Sequence, residues 1–289
     1  VKATVTVKKV SDYLMASYSF DEDEFTDSTG KHANAERVNT VNTVEGLSGK
    51  AASLPGGGKD KGSIKLPDDL LQVDGKTQDD FTISMFMKKP SQGNTFAMIL
   101  HGSDMNNENP DHHLGFINRN DGNKGGYFSV EYRNGAKTQT VLQNENTAYT
   151  TAINEWMHVA IVTKGSTGEA WLYENGQLVG TATGITVKAS DLEAKNNYLG
   201  KSTWYWDNDW QGYYDEFKVY NTALTADEVK GICDPTLYES QLAKTKEALN
   251  VSYKDTTLTY DSTAVTSDLK LPTTGEEVGA GLGTKITWE

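Results

Sequence analysis

Residues 198–220 read YLGKSTWYWDNDWQGYYDEFKVY, and the organisation of the whole chain can be worked out from this stretch. It holds three of the six tryptophans, namely Trp204, Trp206 and Trp210. A strand-like run at residues 197–200 precedes the tryptophans, and a second run at residues 213–220 alternates with the period of two that is typical of a half-buried strand. The tryptophans therefore lie on a connection between strands, where a rigid sheet can hold aromatic side chains for recognition. We expect at least one ring to be structural and at least one to be exposed.

The rest of the chain shows a series of short strands. Residues 1–10 and 81–88 alternate apolar and polar side chains, as half-buried strands do. Residues 156–163 and 168–174 form a hairpin pair, and Asn175-Gly176 is a strong hairpin turn because both residues take positive φ readily. The intervals between strands are short and the clear helices come late. The sequence therefore predicts an all-β fold, an antiparallel sandwich or jelly roll, and not a βαβ protein.

Helical signals follow residue 220. Thr225 is a predicted N-cap, Glu228 completes a capping box, and the helix runs to about Ile232. Asp234-Pro235 then begins a longer predicted helix that ends near Leu249. Short β-like runs return towards the C-terminus.

Composition narrows the class of protein. The chain has 289 residues, which suffices for one large β-domain and a smaller piece. Its net charge of −13 and its pI of about 4.9 argue against nucleic-acid binding, because no basic stripe is present to neutralise phosphates. The same charge fits a secreted or surface protein and supplies carboxylates for cations.

Cys233 is the single cysteine, so no intrachain disulfide exists, and we expect this thiol to act as a small buried hydrophobe. Neither a signal peptide nor a run of 18 apolar residues is found, and no membrane insertion is predicted. The chain opens within a strand pattern at Val1 and closes directly after another at Glu289. These abrupt ends predict a piece excised from a longer protein.

Acidic residues are concentrated directly after a predicted strand at residues 13–20. Five of the seven positions from 21 to 27 are acidic: Asp21, Glu22, Asp23, Glu24 and Asp27. Such crowding is unfavourable unless the carboxylates are solvated or bind a cation, and Ca²⁺ prefers clustered oxygen ligands. The spacing is not that of an EF-hand loop. A solvated acidic turn and a cation site both explain these residues.

Carbohydrate recognition needs flat aromatic faces for the apolar sides of sugar rings and planar polar groups for the hydroxyls. The tryptophan stretch predicts a platform made of Trp204 and Trp206. Four further residues are predicted contacts: Trp210, His101, Asp104 and Arg133. The guanidinium of Arg133 also suits a carboxylated sugar. The alternatives are a structural histidine at position 101 and a solvated arginine at the end of a strand.

Four segments together resemble the laminin-G-like, concanavalin A-like jelly roll. They are residues 81–84, 156–160, 171–176 and 212–224. The resemblance covers about residues 13–233 and implies two stacked antiparallel sheets, often with one structural Ca²⁺. Bacterial members of this family are usually non-catalytic modules of secreted carbohydrate-active enzymes.

The tail resembles a second family. Residues 267–275 and 283–289 are similar to the opening half of an atypical immunoglobulin-like domain, which accompanies arabinofuranosidase- and xylosidase-type enzymes of Gram-positive gut bacteria. This predicts a helical linker at 234–250 and a partial Ig-like β domain at 251–289. Residues 1–10 resemble the last strand of a preceding Ig-like domain. They could instead belong to the main sheet or pair with the tail, which would make the jelly roll an insertion.

The resemblance also bears on the predicted cation. In the jelly roll that this chain resembles, the first and last strands are neighbours, which would bring Asp215 beside the acidic turn. The predicted Ca²⁺ ligands are therefore Asp21, Asp23, Asp27 and Asp215. Backbone carbonyls near Gly49 and Lys50 would complete the shell, in a stabilising role.

Catalytic patterns are missing from the sequence. Retaining glucanases of the concanavalin A-like fold carry a Glu-x-Asp-x-x-Glu strand because two carboxylates must lie about 5 Å apart. No such strand occurs, and residues 21–24 come nearest. A Gly-x-Ser-x-Gly motif is absent. The adjacent His112 and His113 would face opposite sides of a strand, which does not suit zinc.

We therefore predict a non-catalytic carbohydrate-binding module of a secreted or cell-surface bacterial glycoside hydrolase with several domains. Its partners would be an oligosaccharide or polysaccharide and the other domains of the same chain. A structural or adhesive module that binds a protein or spaces domains is the alternative, since Trp and Tyr are also enriched at protein interfaces. A glycosidase is the third and weaker alternative.

Overall fold

The computed structural model describes residues 5–90, 97–104, 112–119, 127–135, 137–143, 154–192 and 195–234, with short backbone segments at 252–253, 269–270 and 285–288. The chain divides into two compact units. One is Leu14–Ala223, and the other combines Val1–Tyr13 with Leu224–Glu289. The longer helix predicted after Asp234 lies outside the described residues.

The strands are short and follow one another closely. In chain order they are β1 Val5–Lys8, β2 Leu14–Tyr18, β3 Glu36–Asn39, β4 Asn42–Glu45, β5 Lys50–Pro55, β6 Gly62–Leu66, β7 Gln72–Val73, β8 Lys76–Thr77, β9 Asp80–Lys88, β10 Ala97–Ser103, β11 His112–Arg119, β12 Tyr127–Asn134, β13 Lys137–Gln143, β14 Trp156–Lys164, β15 Glu169–Glu174, β16 Gln177–Ala182, β17 Asn196–Leu199, β18 Gln211–Tyr220, β19 Ser252–Tyr253, β20 Leu269–Lys270 and β21 Lys285–Trp288. Single 3₁₀ turns lie at Val10–Tyr13 and Ala189–Asp191, and the α-helix α1 is Ala226–Cys233.

Two antiparallel sheets build the larger unit. The seven-stranded sheet has the order β13-β12-β11-β10-β17-β6-β3, and the eight-stranded sheet has the order β16-β15-β14-β9-β18-β5-β4, with β2 also paired to β18. Side chains from both sheets form one buried cluster, so the sheets are the two layers of a sandwich. The predicted all-β jelly-roll class is confirmed.

Alternation along the strands separates a core face from an outer face on each sheet. In the eight-stranded sheet Ile83 of β9 lies opposite Ile161 of β14, and both are buried. In the seven-stranded sheet Leu114 and Phe116 of β11 point into the core, which leaves His113 on the outer face. At the β15–β16 turn both Asn175 and Gly176 have positive φ, as predicted.

Strand β18 has two different neighbours along one edge. Its first half pairs with β5 and its second half with β2, while β9 runs along the other edge. A bulge between the halves shifts the register with β9, and Glu216 there has a φ of 50°. The extra residue places Tyr214 and Phe217 on the same core face. The uninterrupted alternation predicted for residues 213–220 is therefore wrong.

In the smaller unit β1 pairs antiparallel with β21, from Val5 opposite Trp288 to Lys8 opposite Lys285. This is one of the arrangements considered for the N-terminal strand, in which the jelly roll is inserted between two strands of one sheet. The Ig-like interpretation of residues 251–289 rests mostly on residues outside the described part and stays a prediction.

Helix α1 begins as the sequence predicts. The Thr225 side chain accepts from the Glu228 backbone N–H, and the Glu228 carboxylate accepts from the Thr225 backbone N–H, which is a capping box. The helix has eight residues. None of the helices in the described residues is long and apolar enough to cross a membrane.

Candidate functional site

Residues 200–210, here called the Trp loop, connect β17 to β18 and carry the most exposed aromatic side chains among the described residues. Trp206 is 75% exposed and Tyr205 is 56% exposed, the two highest values among the large hydrophobic side chains described. Trp204 is half-buried, whereas Trp210 is fully buried against Tyr214. The loop therefore has one structural tryptophan and an exposed aromatic tip.

Hydrogen bonds close the base of the Trp loop. The Trp210 N–H donates to the Gly200 carbonyl at 2.8 Å, so the two ends of the loop meet. The Asp209 carboxylate accepts from the backbone N–H groups of Lys61 and Gly62 at 2.6 and 3.1 Å. These bonds attach the loop to the turn before β6.

The middle of the Trp loop is fixed to the outer face of the seven-stranded sheet. The Thr203 N–H donates to His101 Nδ1 at 3.0 Å, and the Thr203 and Ser103 hydroxyls are 2.9 Å apart. Because Nδ1 accepts, the ring is neutral with its proton on Nε2. Burial, followed by the neighbouring His113, lowers the pKa of His101 well below its usual value. The imidazole thus acts as a permanent acceptor for the loop.

Trp204 rests on side chains of β11 and β12. Its ring meets His113 edge to face, with centroids 6.0 Å apart, and the Arg133 guanidinium carbon lies 5.1 Å from the Trp204 ring centroid. His113 Nε2 in turn lies 3.1 Å from a Glu131 carboxylate oxygen. Trp204 is therefore supported from below.

The tip of the loop combines aromatic and charged groups. The Tyr205 and Trp206 rings are nearly perpendicular, with centroids 4.8 Å apart. The Lys59 ammonium lies 4.1 Å from the centroid of the Tyr205 ring. This contact holds Tyr205 from the side, and Trp206 remains open to solvent.

Polar groups lie directly beside the rings. The Ser202 hydroxyl donates to Asp207 at 2.6 Å and accepts from the Trp204 N–H at 3.0 Å. Burial raises the pKa of Asp207, although the Ser202 hydrogen bond opposes this shift. Asn208 is exposed. The loop therefore presents acceptors and an amide next to flat apolar surfaces, a combination that suits sugar hydroxyls and ring faces.

The structure brings together three of the predicted sugar contacts. Trp204, Trp206 and Arg133 belong to the Trp loop or to the surface below it. Asp104 instead pairs with His112 at 2.8 Å, and no contact in the described part of the chain joins it to the loop.

Two predicted contacts need correction. Trp210 is fully buried, because its ring packs on Tyr214 and fills the space above Gly212, so it offers no face to a ligand. His101 is also fully buried, and the Trp loop uses its Nδ1 as an acceptor. Both side chains build the site from inside.

The sequence did not predict two residues that contact the aromatic rings of the Trp loop, His113 and Lys59. His113 was considered only as a metal ligand, yet it lies under Trp204. The core residue Leu114 beside it could have indicated that His113 faces outward. Lys59 follows a glycine run far from the tryptophans in sequence, and no local pattern links it to Tyr205.

The acidic turn does not form a cluster of three carboxylates. Asp27 is buried and accepts backbone N–H bonds from Ser17, Thr29, Lys31 and His32, together with the Thr29 hydroxyl. Burial alone would raise the pKa of Asp27, but these hydrogen bonds lower it below its usual value. Since donors already occupy both oxygens, the prediction of Asp27 as a cation ligand needs correction.

Asp21 and Asp215 do meet at one turn, residues 46–50. Asp21 accepts from the Lys50 N–H at 2.7 Å, and Asp215 Oδ2 accepts from Leu47 and Ser48. The turn is so tight that a Cβ on Gly49 would lie 2.0 Å from Asp21 Oδ1. The bulge in β18 places Asp215 here despite the long separation in sequence.

The other oxygen of Asp215 suits a cation. Asp215 Oδ1 is buried and has no hydrogen-bond partner among the described residues. Burial raises the pKa of Asp215 to about 6. A buried carboxylate oxygen without a donor is the kind of ligand that Ca²⁺ takes. Asp23 is exposed, and no group of three or more metal-ligating side chains is found in the described residues.

A pocket of about 450 Å³ lies elsewhere on the larger unit. Its lining consists of Asp68, Asp69, Leu71, Gln72, Thr77, Ala189, Ser190, Lys195 and Asn197. None of the described residues that line it is aromatic, and its carboxylates Asp68 and Asp69 pair with Lys65 and His32. A concave pocket is the usual first candidate for a ligand site. We favour the Trp loop because it alone of the two offers a stacking surface.

Two antiparallel sheets around one core, with exposed rings on a connecting loop, define a jelly-roll sandwich of the lectin-like class. The chain belongs to the concanavalin A-like lectin and glucanase superfamily, since the model of a laminin G-like domain of that superfamily matches residues 57–230.

A protein of known activity is similar in sequence to most of this chain. The chain is 29% identical over 246 residues to an α-L-arabinofuranosidase of Bifidobacterium longum subsp. longum, an alignment that covers 76% of this chain and 21% of that protein. The chain thus spans about a fifth of the length of this relative.

Solved structures share the fold. Domain 4 of AbnA, a GH43 extracellular arabinanase from Geobacillus stearothermophilus, in complex with arabinotriose, matches with a TM-score of 0.60 and 24% identity over 76% of this chain and 98% of that one. The binding domain of botulinum neurotoxin DC in complex with SialylT has a TM-score of 0.60 and 15% identity over 78% of this chain and 52% of that one.

Proposed function

We propose that this chain is a non-catalytic carbohydrate-binding module that holds a glycan on the Trp loop. The observation that carries the proposal is the exposure of Trp206 and Tyr205 on a loop whose base and middle are fixed by hydrogen bonds. A rigid platform loses little conformational freedom when it binds, so exposed rings held in this way favour recognition.

Arabinose-containing plant glycans are the ligands that the relatives suggest. The structural neighbour with arabinotriose is a domain of an arabinanase, and the sequence relative is an arabinofuranosidase. We infer that the chain serves a secreted bacterial enzyme of this kind, in which binding keeps a catalytic domain close to its polymer. Tethering of this type raises the effective concentration of substrate at the enzyme.

Calorimetry with arabinotriose and linear arabinan tests the proposal. Trp206→Ala should weaken binding by about 30-fold, which corresponds to the roughly 2 kcal/mol that a tryptophan hot spot supplies. Leu178→Ala is a matched control, because Leu178 is an exposed apolar residue, 50% accessible, on the edge strand β16. Failure of the wild-type chain to bind any glycan on an array would rule the proposal out in favour of a protein-binding or spacer module.

The non-catalytic role needs a separate test. The carboxylates near Trp204 are engaged, since Asp207 accepts from Ser202 and Glu131 pairs with His113. We therefore expect no release of arabinose or xylose from arabinan, arabinoxylan or nitrophenyl glycosides. Hydrolysis of any of these substrates by the purified chain would contradict the non-catalytic role and support the glycosidase alternative.

We also propose a structural Ca²⁺ at the turn of residues 46–50. Asp215 Oδ1 and the Asp21 carboxylate would supply charged ligands, and backbone carbonyls of the turn would complete the shell. The unpaired buried oxygen of Asp215 supports this proposal. Bound Ca²⁺ would neutralise Asp215 and link β18 to the turn before β5, a stabilising role and not a chemical one.

A further inference from the structure

A second set of aromatic side chains lies on the eight-stranded sheet. The register places Trp156 opposite Lys88 and Lys88 opposite Tyr213, so the three residues stand side by side on β14, β9 and β18. On each strand an adjacent residue is buried in the core, namely Met157, Met87 and Tyr214. Because side chains alternate along a strand, the row itself points away from the core.

The centre of this row is a cation held between two rings. The Lys88 ammonium lies 4.8 Å from the centroid of the Trp156 ring and 4.7 Å from that of Tyr213, and the two ring centroids are 6.5 Å apart. All three side chains are half-buried. In the described part of the chain Lys88 has no carboxylate partner. The lysines that do have one are Lys65, Lys201, Lys218 and Lys230.

The row continues with neutral polar side chains. Ser53 of β5 lies opposite Tyr213, and Asn42 of β4 lies opposite Ser53. Adjacent strands are about 4.8 Å apart, so five strands give a row roughly 19 Å long. Such a length fits an oligosaccharide better than a single sugar.

We propose that the row of Trp156, Lys88, Tyr213, Ser53 and Asn42 is a second glycan-binding surface, and that its ligand is an acidic polysaccharide containing uronic acid residues. The rings would take the apolar faces of the sugars, and the Lys88 ammonium would pair with a sugar carboxylate. Ser53 and Asn42 would bind hydroxyl groups further along the polymer.

The overall charge of the chain does not exclude this ligand. A net charge of −13 repels a polyanion at long range, but at physiological salt charges more than about 8 Å away are largely screened. The surface is also independent of the Trp loop, which packs on the seven-stranded sheet through His101 and His113. Loss of binding at one of the two surfaces should therefore leave binding at the other unchanged.

A trisaccharide with free carboxylates and its uncharged methyl ester test this inference. Calorimetry at 50 mM salt would compare trigalacturonate with its methyl ester. The wild-type chain should bind the acid at least tenfold more tightly than the ester, and the difference should shrink as salt rises. Lys88→Gln should abolish the preference, and Lys88→Arg should keep most of it. Lys76→Gln removes an equal charge from an exposed lysine and should leave the preference intact.

Several results would overturn the inference. The wild-type chain would fail to bind trigalacturonate at millimolar concentration, or it would bind the acid and the ester equally. The Lys88→Gln variant would bind trigalacturonate as tightly as the wild type does. Alternatively, Trp206→Ala would abolish trigalacturonate binding while Lys88→Gln would not. Equal binding of a glutamate trimer would show that charge alone suffices and would also overturn it. Melting temperatures check that each variant is folded. Arabinotriose binding, measured in the same Lys88→Gln variant, reports separately on the proposed function.

Discussion

At the scale of single residues, buried polar side chains decide how the exposed ones are presented. Asp27 and His101 have the chemistry of ligand-binding groups, yet both bind the protein's own backbone. Asp27 joins β2 to the turn after it, and His101 holds the middle of the Trp loop. Because both side chains are buried, their polar atoms stabilise the fold and are not available to a ligand.

The Asp27 carboxylate provides a pH-dependent prediction. Asp27→Asn keeps the shape but loses the charge, and we expect it to lower the free energy of unfolding at pH 7 by about 2–3 kcal/mol, since hydrogen bonds to charged groups are the strong ones. The folded pKa lies below the ordinary value of 3.8. The contribution of the ionised group is therefore complete above about pH 4 and is lost as the pH falls through the folded pKa.

Urea denaturation of both proteins at pH 7 and near pH 3 would measure this contribution. The difference between wild type and Asp27→Asn should shrink at the lower pH. A difference of the same size at both pH values would show that the carboxylate charge is not what stabilises this turn.

At the scale of elements, the Trp loop depends on the strands beneath it. His101 accepts from Thr203, 102 positions later in the chain. His101→Leu would leave the Thr203 N–H without an acceptor, at a cost of about 1–3 kcal/mol. His101→Asn is the matched control, because its side-chain oxygen can replace Nδ1. We expect the Leu variant to bind arabinotriose severalfold more weakly and the Asn variant to stay near wild type.

Calorimetry with arabinotriose on the two variants would test whether this hydrogen bond is needed for binding, and melting temperatures would check that both variants are folded. Equal affinities would mean that the loop keeps its shape without this hydrogen bond, and His101 would then be a packing residue only.

The same elements show how far sequence reasoning reaches. The alternation of residues 81–88, the Asn175-Gly176 turn and the capping box at Thr225 are local patterns, and the structure confirms each of them. The bulge in β18 is not local, because it depends on a change of neighbour from β5 to β2. Periodicity also says nothing inside a loop, so it could not separate buried Trp210 from exposed Trp206.

At the scale of the whole molecule, the larger unit is a two-layer sandwich with different chemistry on its two outer faces. The seven-stranded sheet carries the Trp loop, and the eight-stranded sheet carries the row around Lys88. The proposed Ca²⁺ would lie where β18 changes neighbours, at a break in the eight-stranded sheet. A cation there would link β18 to the turn at residues 46–50.

Thermal unfolding with and without Ca²⁺ tests the cation proposal. Binding to the folded state alone stabilises it by about 2.7 kcal/mol at a ligand concentration of 100 Kd. For a unit of this size each kcal/mol raises Tm by roughly 2–4 °C, so we expect a rise of several degrees with Ca²⁺ and a fall with a strong chelator. Asp215→Asn should remove the response, whereas Asp23→Asn, at an exposed position, should retain it.

A Tm indifferent to chelator, with no metal found by elemental analysis, would refute the cation. A response that survives in Asp215→Asn would mean that a cation binds through other ligands.

The central claim, that glycan binds on the Trp loop, is tested most directly by the indole N–H resonances of the six tryptophans during titration with arabinotriose. Trp206, with Trp204 beside it, should shift in proportion to occupancy, because a sugar ring stacked on an indole changes its shielding. Buried Trp210 should move little. No shift at saturating arabinotriose, or shifts confined to tryptophans outside the Trp loop, would contradict the claim.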